Sequence, residues 1–205
     1  MAIAGFNQMK HQKGFTLIES MVVIVLIGAL MLIGMRTIGG SSDSANSAAM
    51  RSAAKSLADG ASYLHSNLGI GLRNLGSTAF TNGTAPLLEV LIEGESAVAV
   101  AQRERYRSIG MRPVSNDFGG TAAGRTFMGY PVSLYAAGGG STPAVTGAAT
   151  CPTRMICVAF GGVPIELVEA LSSQLGHAWV DAKTSGTDVQ WTGGTTKTVT
   201  FMFVP

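Results

Sequence analysis

The chain has 205 residues, of which 46% are hydrophobic and 13% charged, with 14 Lys+Arg against 12 Asp+Glu. Lys10 and Lys13 lie in the first 14 residues, which hold no acid, so residues 15–205 carry 12 of each and are formally neutral. A neutral body gives no broad electrostatic reason to bind nucleic acid. With no GxSxG, no HExxH and no phosphate-cradling glycine loop, nothing supports catalysis.

Residues 10–36 read KHQKGFTLIESMVVIVLIGALMLIGMR. A short basic leader ends at Gly14, and the run 15–35 carries one ionisable side chain, Glu19, before Arg36. As a helix those residues span about 31 Å, roughly one hydrocarbon core. A carboxylate inside such a segment costs about 2.5–3.5 kcal/mol on lenient scales, so Glu19 asks for a partner. An ordinary signal peptide places its apolar stretch before a small-residue cleavage site. Here the apolar stretch follows Gly14, so a cut after Gly14 keeps the helix and puts a new amine on Phe15.

Lys13-Gly14-Phe15-Thr16-Leu17-Ile18-Glu19 resembles the class III signal sequence of type IV prepilins and of the related type II secretion pseudopilins. The resemblance covers about 25 residues. It implies that a membrane prepilin peptidase cuts after Gly14 and methylates the amine of Phe15. Glycine suits that site because a chain without Cβ extends easily into a protease cleft. It also implies an assembly role for Glu19, whose carboxylate neutralises the Phe15 ammonium of a neighbouring subunit. A paired carboxylate is tolerable in an apolar setting where an unpaired one is not. The alternative is that Glu19 only favours the helix N-terminus through its dipole. The family's fold is α+β: a long N-terminal α-helix, one half hydrophobic and one half amphipathic, packed on an antiparallel β-sheet head. The implied domains are a leader, 1–14; a transmembrane and assembly helix, 15–36; its amphipathic continuation, 37–70; and a globular head, 71–205.

Further along, Gly39-Gly40-Ser41-Ser42 interrupts the helical pattern and is a place for the stem to fray or kink. The proline frequent in the family near the twenty-second mature position is replaced by Arg36. From Asp43 the pattern resumes. Met50, Ala53, Leu57, Ala61, Leu64 and Leu68 recur every three or four residues and predict an apolar stripe that packs against a sheet. Asn82-Gly83-Thr84 matches a glycosylation sequon, although Asn-Gly is first a turn signal. Residues 86–92 fit a helical turn or a strand equally. The run 102–112, QRERYRSIGMR, reads as a solvated strand or helix face.

Segment 126–136 predicts a strand with a turn at Gly129-Tyr130-Pro131, residues 138–143 a loop, and 155–160 a buried strand. Ile165, Leu167, Val168, Leu171 and Leu175 lie at helical spacing, with Gly176 in the stop position. Residues 178–182, 188–191 and 198–204 predict antiparallel strands, the last two joined by a tight turn at Gly193-Gly194.

In an exported protein an even cysteine count suggests a bridge. Cys151 and Cys157 would close a small ring worth about 2–3 kcal/mol. Free thiols are the alternative, and no second Cys/His pair exists to complete a metal site. The close spacing departs from the larger C-terminal loop that the family usually staples. His11 leaves with the leader, and His65 and His177 stand apart in sequence, so no cofactor or metal is expected.

The resemblance thus implies a pilus subunit that polymerises with copies of itself for adhesion, motility or aggregation. Its expected partners are prepilin peptidase, an inner-membrane assembly platform and secretin, the membrane before assembly, and a host or cell-surface receptor, with nucleic acid unfavoured. Its expected location is the inner membrane as precursor and then the extracellular fimbrium. A minor tip pilin or a secretion pseudopilin is the alternative. The late helix and the long mature chain lean towards the type IVb subclass, while Phe15 looks type IVa.

Overall fold

The computed structural model describes residues 17–71, 80–81, 87–114, 117–121, 123–137, 139–140 and 145–205. Within 17–41, the described side chains are those of residues 18, 21–28, 30 and 31. The chain divides into two compact units, Met1–Ser41 and Ser42–Pro205. The backbone of helix α1, Leu17–Leu68, is helical through Gly39, Gly40, Ser41 and Ser42, so the expected interruption does not break it. A glycine inside a helix costs only about 1 kcal/mol, less than the neighbouring turns can bear.

In the second unit the apolar stripe of α1 forms the spine of the core. Met50, Leu57, Ala61, Leu64 and Leu68 are buried, as are Ala53, Ala54 and Ala58 between them. The alanines and Gly60 let neighbours approach closely. A Cβ on Gly60 would sit 3.1 Å from Leu91 and 3.2 Å from Val114. Gly69, with φ +65°, closes the helix by donating its amide to the His65 carbonyl at 3.0 Å. The left-handed conformation that ends a helix suits glycine.

Leu87–Glu93 resolves to a helix, α2, and all its residues but Glu93 are buried. The basic run forms two short helical pieces, a 3-10 turn at Val100–Gln102 and α3, Arg103–Ser108. Its tyrosine, Tyr106, is buried while the arginines stay at the surface. Arg105 donates to the Leu68 carbonyl, which ties α3 to the end of the spine, and Arg103 donates to the Val98 carbonyl.

The sheet is antiparallel. Its strands are β1 (Phe118–Thr121), β2 (Gly124–Phe127), β3 (Tyr130–Ala136), β4 (Gly139–Gly140), β5 (Ile156–Pro164), β6 (Val189–Trp191) and β7 (Thr196–Phe203). The order is β1-β2-β3-β5-β7-β6, with β4 beside β3. Two rows run across the inner face: Val132, Phe160, Val199, Trp191 and Leu134, Val158, Phe201, Val189. These cluster with the α1 stripe in one core. The alternate residues, Tyr135, Cys157 and Met202 and then Ser133, Ala159, Thr200 and Gln190, occupy the other face, as a period of two requires. A long helix against an antiparallel sheet is the α+β, pilin-like arrangement expected.

The expected loop at 138–143 is corrected in part, since Gly139–Gly140 pairs with β3 as β4, and two further local expectations are corrected. The turn in 126–136 lies at Met128-Gly129, not at Gly129-Tyr130-Pro131, since Phe127 pairs directly with Tyr130. Both turn residues have positive φ, 53° and 85°, the geometry that matches the twist of a two-residue hairpin. Pro131 lies in β3 one residue after its start, where a missing N–H is tolerated. Residues 178–182 form no strand. Side chains capture two of that segment's carbonyls: Trp191 Nε1 donates to Val180 O at 3.0 Å and Lys197 Nζ to Asp181 O at 2.7 Å. Ladder pairing begins only at the Lys183–Trp191 bridge.

The late helix is α4, Ile165–Gln174. His177 N–H donates to Ser172 O at 2.9 Å and Gly176 N–H to Ser173 O at 3.1 Å, with Gly176 at φ +70°. That double closure is the Schellman stop expected from Gly176. Gly193 and Gly194 lie in the turn between β6 and β7, as expected.

Candidate functional site: the N-terminal segment and the head that follows it

Gly14 and Phe15 lie outside the described residues, as does the sequon Asn82-Gly83-Thr84. Glu19 lies in the helical backbone of α1, and its side chain is not described. Between residues 18 and 31, ten large apolar side chains are described, and they are 45 to 74% exposed. They fall on every side of the helix, since the run 21–27 alone covers nearly two turns. An apolar surface of that kind requires lipid or other helices to cover it. Among the described residues no helix is long and apolar enough to cross a membrane. The 21-residue run of the sequence includes positions beyond them.

In the head, Cys151 and Cys157 are joined by a disulfide. They cluster with Met202, and with Tyr135, Ala149 and Met155 at the margin, over β3, β5 and β7. The preceding segment, residues 145–150, is strapped across this same face. Thr198 Oγ1 donates to Thr146 O at 2.7 Å, Ala149 N–H to Thr200 Oγ1 at 3.1 Å, and Tyr135 Oη to Ala149 O at 2.7 Å. Val145 leans on Gly161, where any Cβ would lie 2.8 Å from its Cγ1. Cys151→Ser is expected to lower head stability by about 2–3 kcal/mol, because the open chain regains loop entropy. The check is a melting temperature for residues 42–205 that falls by about 5–10 °C. An unchanged value would show that the bond does not staple the strap.

Sequence reasoning missed the ionic groups of the interior. Arg125 on β2 reaches Glu89 of α2 through Nε at 2.9 Å and through Nη2, and Nη2 also meets Glu93 at 2.6 Å. Arg125 is 8% exposed and Glu89 3%. These partners stand 32 and 36 residues apart, so no local pattern announces them. Lys197, at 0% exposure, donates to the backbone and carboxylate of Asp181 and lies 5.5 Å from the Trp179 ring centre. Its only signal was a lysine inside an apolar strand.

His65 Nδ1 lies 2.6 Å from the Ile70 carbonyl oxygen. His177 Nε2 contacts Asp188 Oδ2 at 2.6 Å, and Lys183 Nζ meets Asp188 Oδ1 at 3.1 Å. Among the described residues no group of three or more His, Cys, Asp or Glu is placed to hold a metal ion. Partial burial works to raise the Asp188 pKa. Hydrogen bonds from His177, the Val189 amide and Lys183 outweigh it and hold the carboxyl at about 2, against an ordinary 3.8. A carboxyl depressed on folding stabilises the fold above its unfolded pKa and loses that contribution as pH falls through the folded one. The head is therefore expected to lose stability between about pH 4 and 2, by about 1 kcal/mol once solvent screening of a half-exposed carboxylate is allowed for. Urea midpoints measured across that window should fall less steeply in Asp188→Asn.

A family model, the prokaryotic N-terminal methylation motif, matches residues 9–35. The match spans Gly14, Phe15 and Glu19 and the apolar run as far as Met35. It marks a class III signal, which implies a membrane-inserted precursor, processing by prepilin peptidase and assembly into a filament. No curated protein and no solved structure matches the chain.

Proposed function

We propose that the chain is the structural subunit of a type IV pilus, cleaved after Gly14, methylated at Phe15 and polymerised through its N-terminal helices. The observation that carries this reading is the methylation motif leading directly into a helix whose described apolar side chains are exposed all round. Such a surface suits lipid before assembly and sister helices afterwards. In this reading residues 1–14 are the leader, 15–36 the membrane and assembly helix, 37–70 the amphipathic continuation and 71–205 the head. An inner-membrane platform, a secretin and a surface receptor complete its partners, and the fimbrium is its destination. The strapped, disulfide-closed face and the large head support a pilus over a secretion pseudopilus, and the late helix α4 supports the type IVb subclass.

Mass spectrometry of fibres sheared from cells tests the reading. A dominant subunit beginning at methylated Phe15 is expected. Processed protein found only in membranes would move the assignment to a pseudopilin or minor pilin, and an intact Met1 terminus would overturn it.

Glu19→Ala is expected to leave cleavage intact and to reduce sheared fibre by at least about tenfold. Losing a paired charge in an apolar setting costs several kcal/mol, and each 1.4 kcal/mol is tenfold in an equilibrium. Wild-type fibre yield would remove the pairing with Phe15 from the mechanism.

A further inference from the structure

Beside the strap, the outer face of β6 and β7 holds an open groove of about 450 Å³. Its floor is the strand face that bears Thr198, Thr200 and Gln190, continued by Thr192 in the turn. Residues 147–150 of the strap form one wall, and Lys183 and Thr184 the other. The Lys183–Trp191 bridge fixes that second wall against the edge strand. We propose that this groove binds a short neutral oligosaccharide of two or three rings.

The chemistry of the lining selects the class. Thr150, Thr184, Gln190 and Thr192 offer hydroxyls and one carboxamide above a floor of buried Thr198 and Thr200, and among the described residues no carboxylate lines the groove. Lys183, the one cation among the described lining residues, is engaged: Nζ donates to Val189 O at 2.8 Å and to Asp188 Oδ1 at 3.1 Å. An anionic ligand therefore meets no uncompensated charge. An apolar ligand would strip water from the hydroxyls without replacing its hydrogen bonds, at about 1–3 kcal/mol for each buried group. A saccharide replaces those waters with its own hydroxyls, and the threonine methyls meet its C–H faces. The volume lies in the range of about 300–1,000 Å³ usual for small-ligand sites.

The polar atoms are also held in place before any ligand arrives. Thr192 Oγ1 accepts the Thr198 amide at 2.9 Å, which leaves its own O–H to donate. Thr198 Oγ1, on the buried floor, donates to Thr146 O at 2.7 Å and pins the strap that forms the wall. Gln190 Nε2 donates to Gly186 O at 2.9 Å, so the carboxamide oxygen remains an acceptor. A donor and an acceptor on one hairpin suit the hydroxyls of a sugar ring, and little ordering entropy remains to be lost on binding. Tyr135, Cys157 and Met202 border this face, so the disulfide helps to hold the strap that walls the groove.

The test is a titration of the isotope-labelled full chain in zwitterionic micelles with maltotriose, cellotriose and chitotriose, and with sialyllactose as the anionic comparison. At least one neutral trisaccharide is expected to give saturable amide shifts confined to residues 147–150, 183–184 and 190–200, with a Kd of about 1 mM or tighter. Thr184→Val, at an exposed residue outside every strand, and Gln190→Ala are each expected to weaken binding about tenfold without moving the melting temperature. No saturable shift from any of the three, tighter binding of sialyllactose, or unchanged affinity in both variants would each overturn the proposal. None of those outcomes bears on filament assembly, which is read from the N-terminal segment alone.

Discussion

A Gly14→Val chain is expected to accumulate uncut in the membrane fraction, with Met1 still at its terminus and no subunit in sheared fibres. Cleavage after Gly14 needs the residue before the scissile bond to extend into a protease cleft, which glycine does easily and a β-branched residue is expected to hinder. A misfit of about 3 kcal/mol in the transition state slows cutting by more than about a hundredfold. Gly14→Ala, which adds a single methyl, is the matched control and should still be processed. Normal processing of Gly14→Val would refute the leader assignment, whatever the fold of the head.

Arg125→Ala should give the largest loss of head stability, about 3–5 kcal/mol, because it strands Glu89 as an uncompensated charge at 3% exposure. A domain of this size is stable by only about 5–15 kcal/mol, so the melting temperature should fall by about 10 °C. The double replacement Arg125→Met with Glu89→Leu removes both charges and should recover most of the loss, since a buried ion pair is worth little more than an apolar pair of equal volume. Urea unfolding of residues 42–205 in Arg125→Met, Glu89→Leu and the double measures the coupling. Additive losses would show that Glu89 and Arg125 act independently, against the contacts that join them.

The parts that could be read without coordinates are those whose cause lies within a few residues. The three-or-four-residue spacing of the α1 stripe follows from helical period alone, and every stripe residue named is buried. Gly176 stopped α4 because a left-handed residue is needed there and glycine takes that conformation without strain. The cysteine pair was legible because there were only two to join. The missing strand at 178–182 and the interior ion pairs have a different, long-range cause. Residues 178–182 have the composition of a strand, yet the Trp191 indole and the Lys197 amine claim two of their carbonyls. Those donors lie 11 and 16 residues away, beyond the reach of any short pattern.

The processing signal, the helical spine and the apolar faces of the central strands are legible in the residues because each follows from chemistry local to the chain. The remaining contacts arise only when distant segments pack. That packing brought Arg125 to Glu89, sealed Lys197 beneath Trp179, and laid the strap beside β6 and β7 to open the groove. Those contacts depend on which strands lie side by side, and strand order is settled by the packing of the whole core rather than by any segment within it.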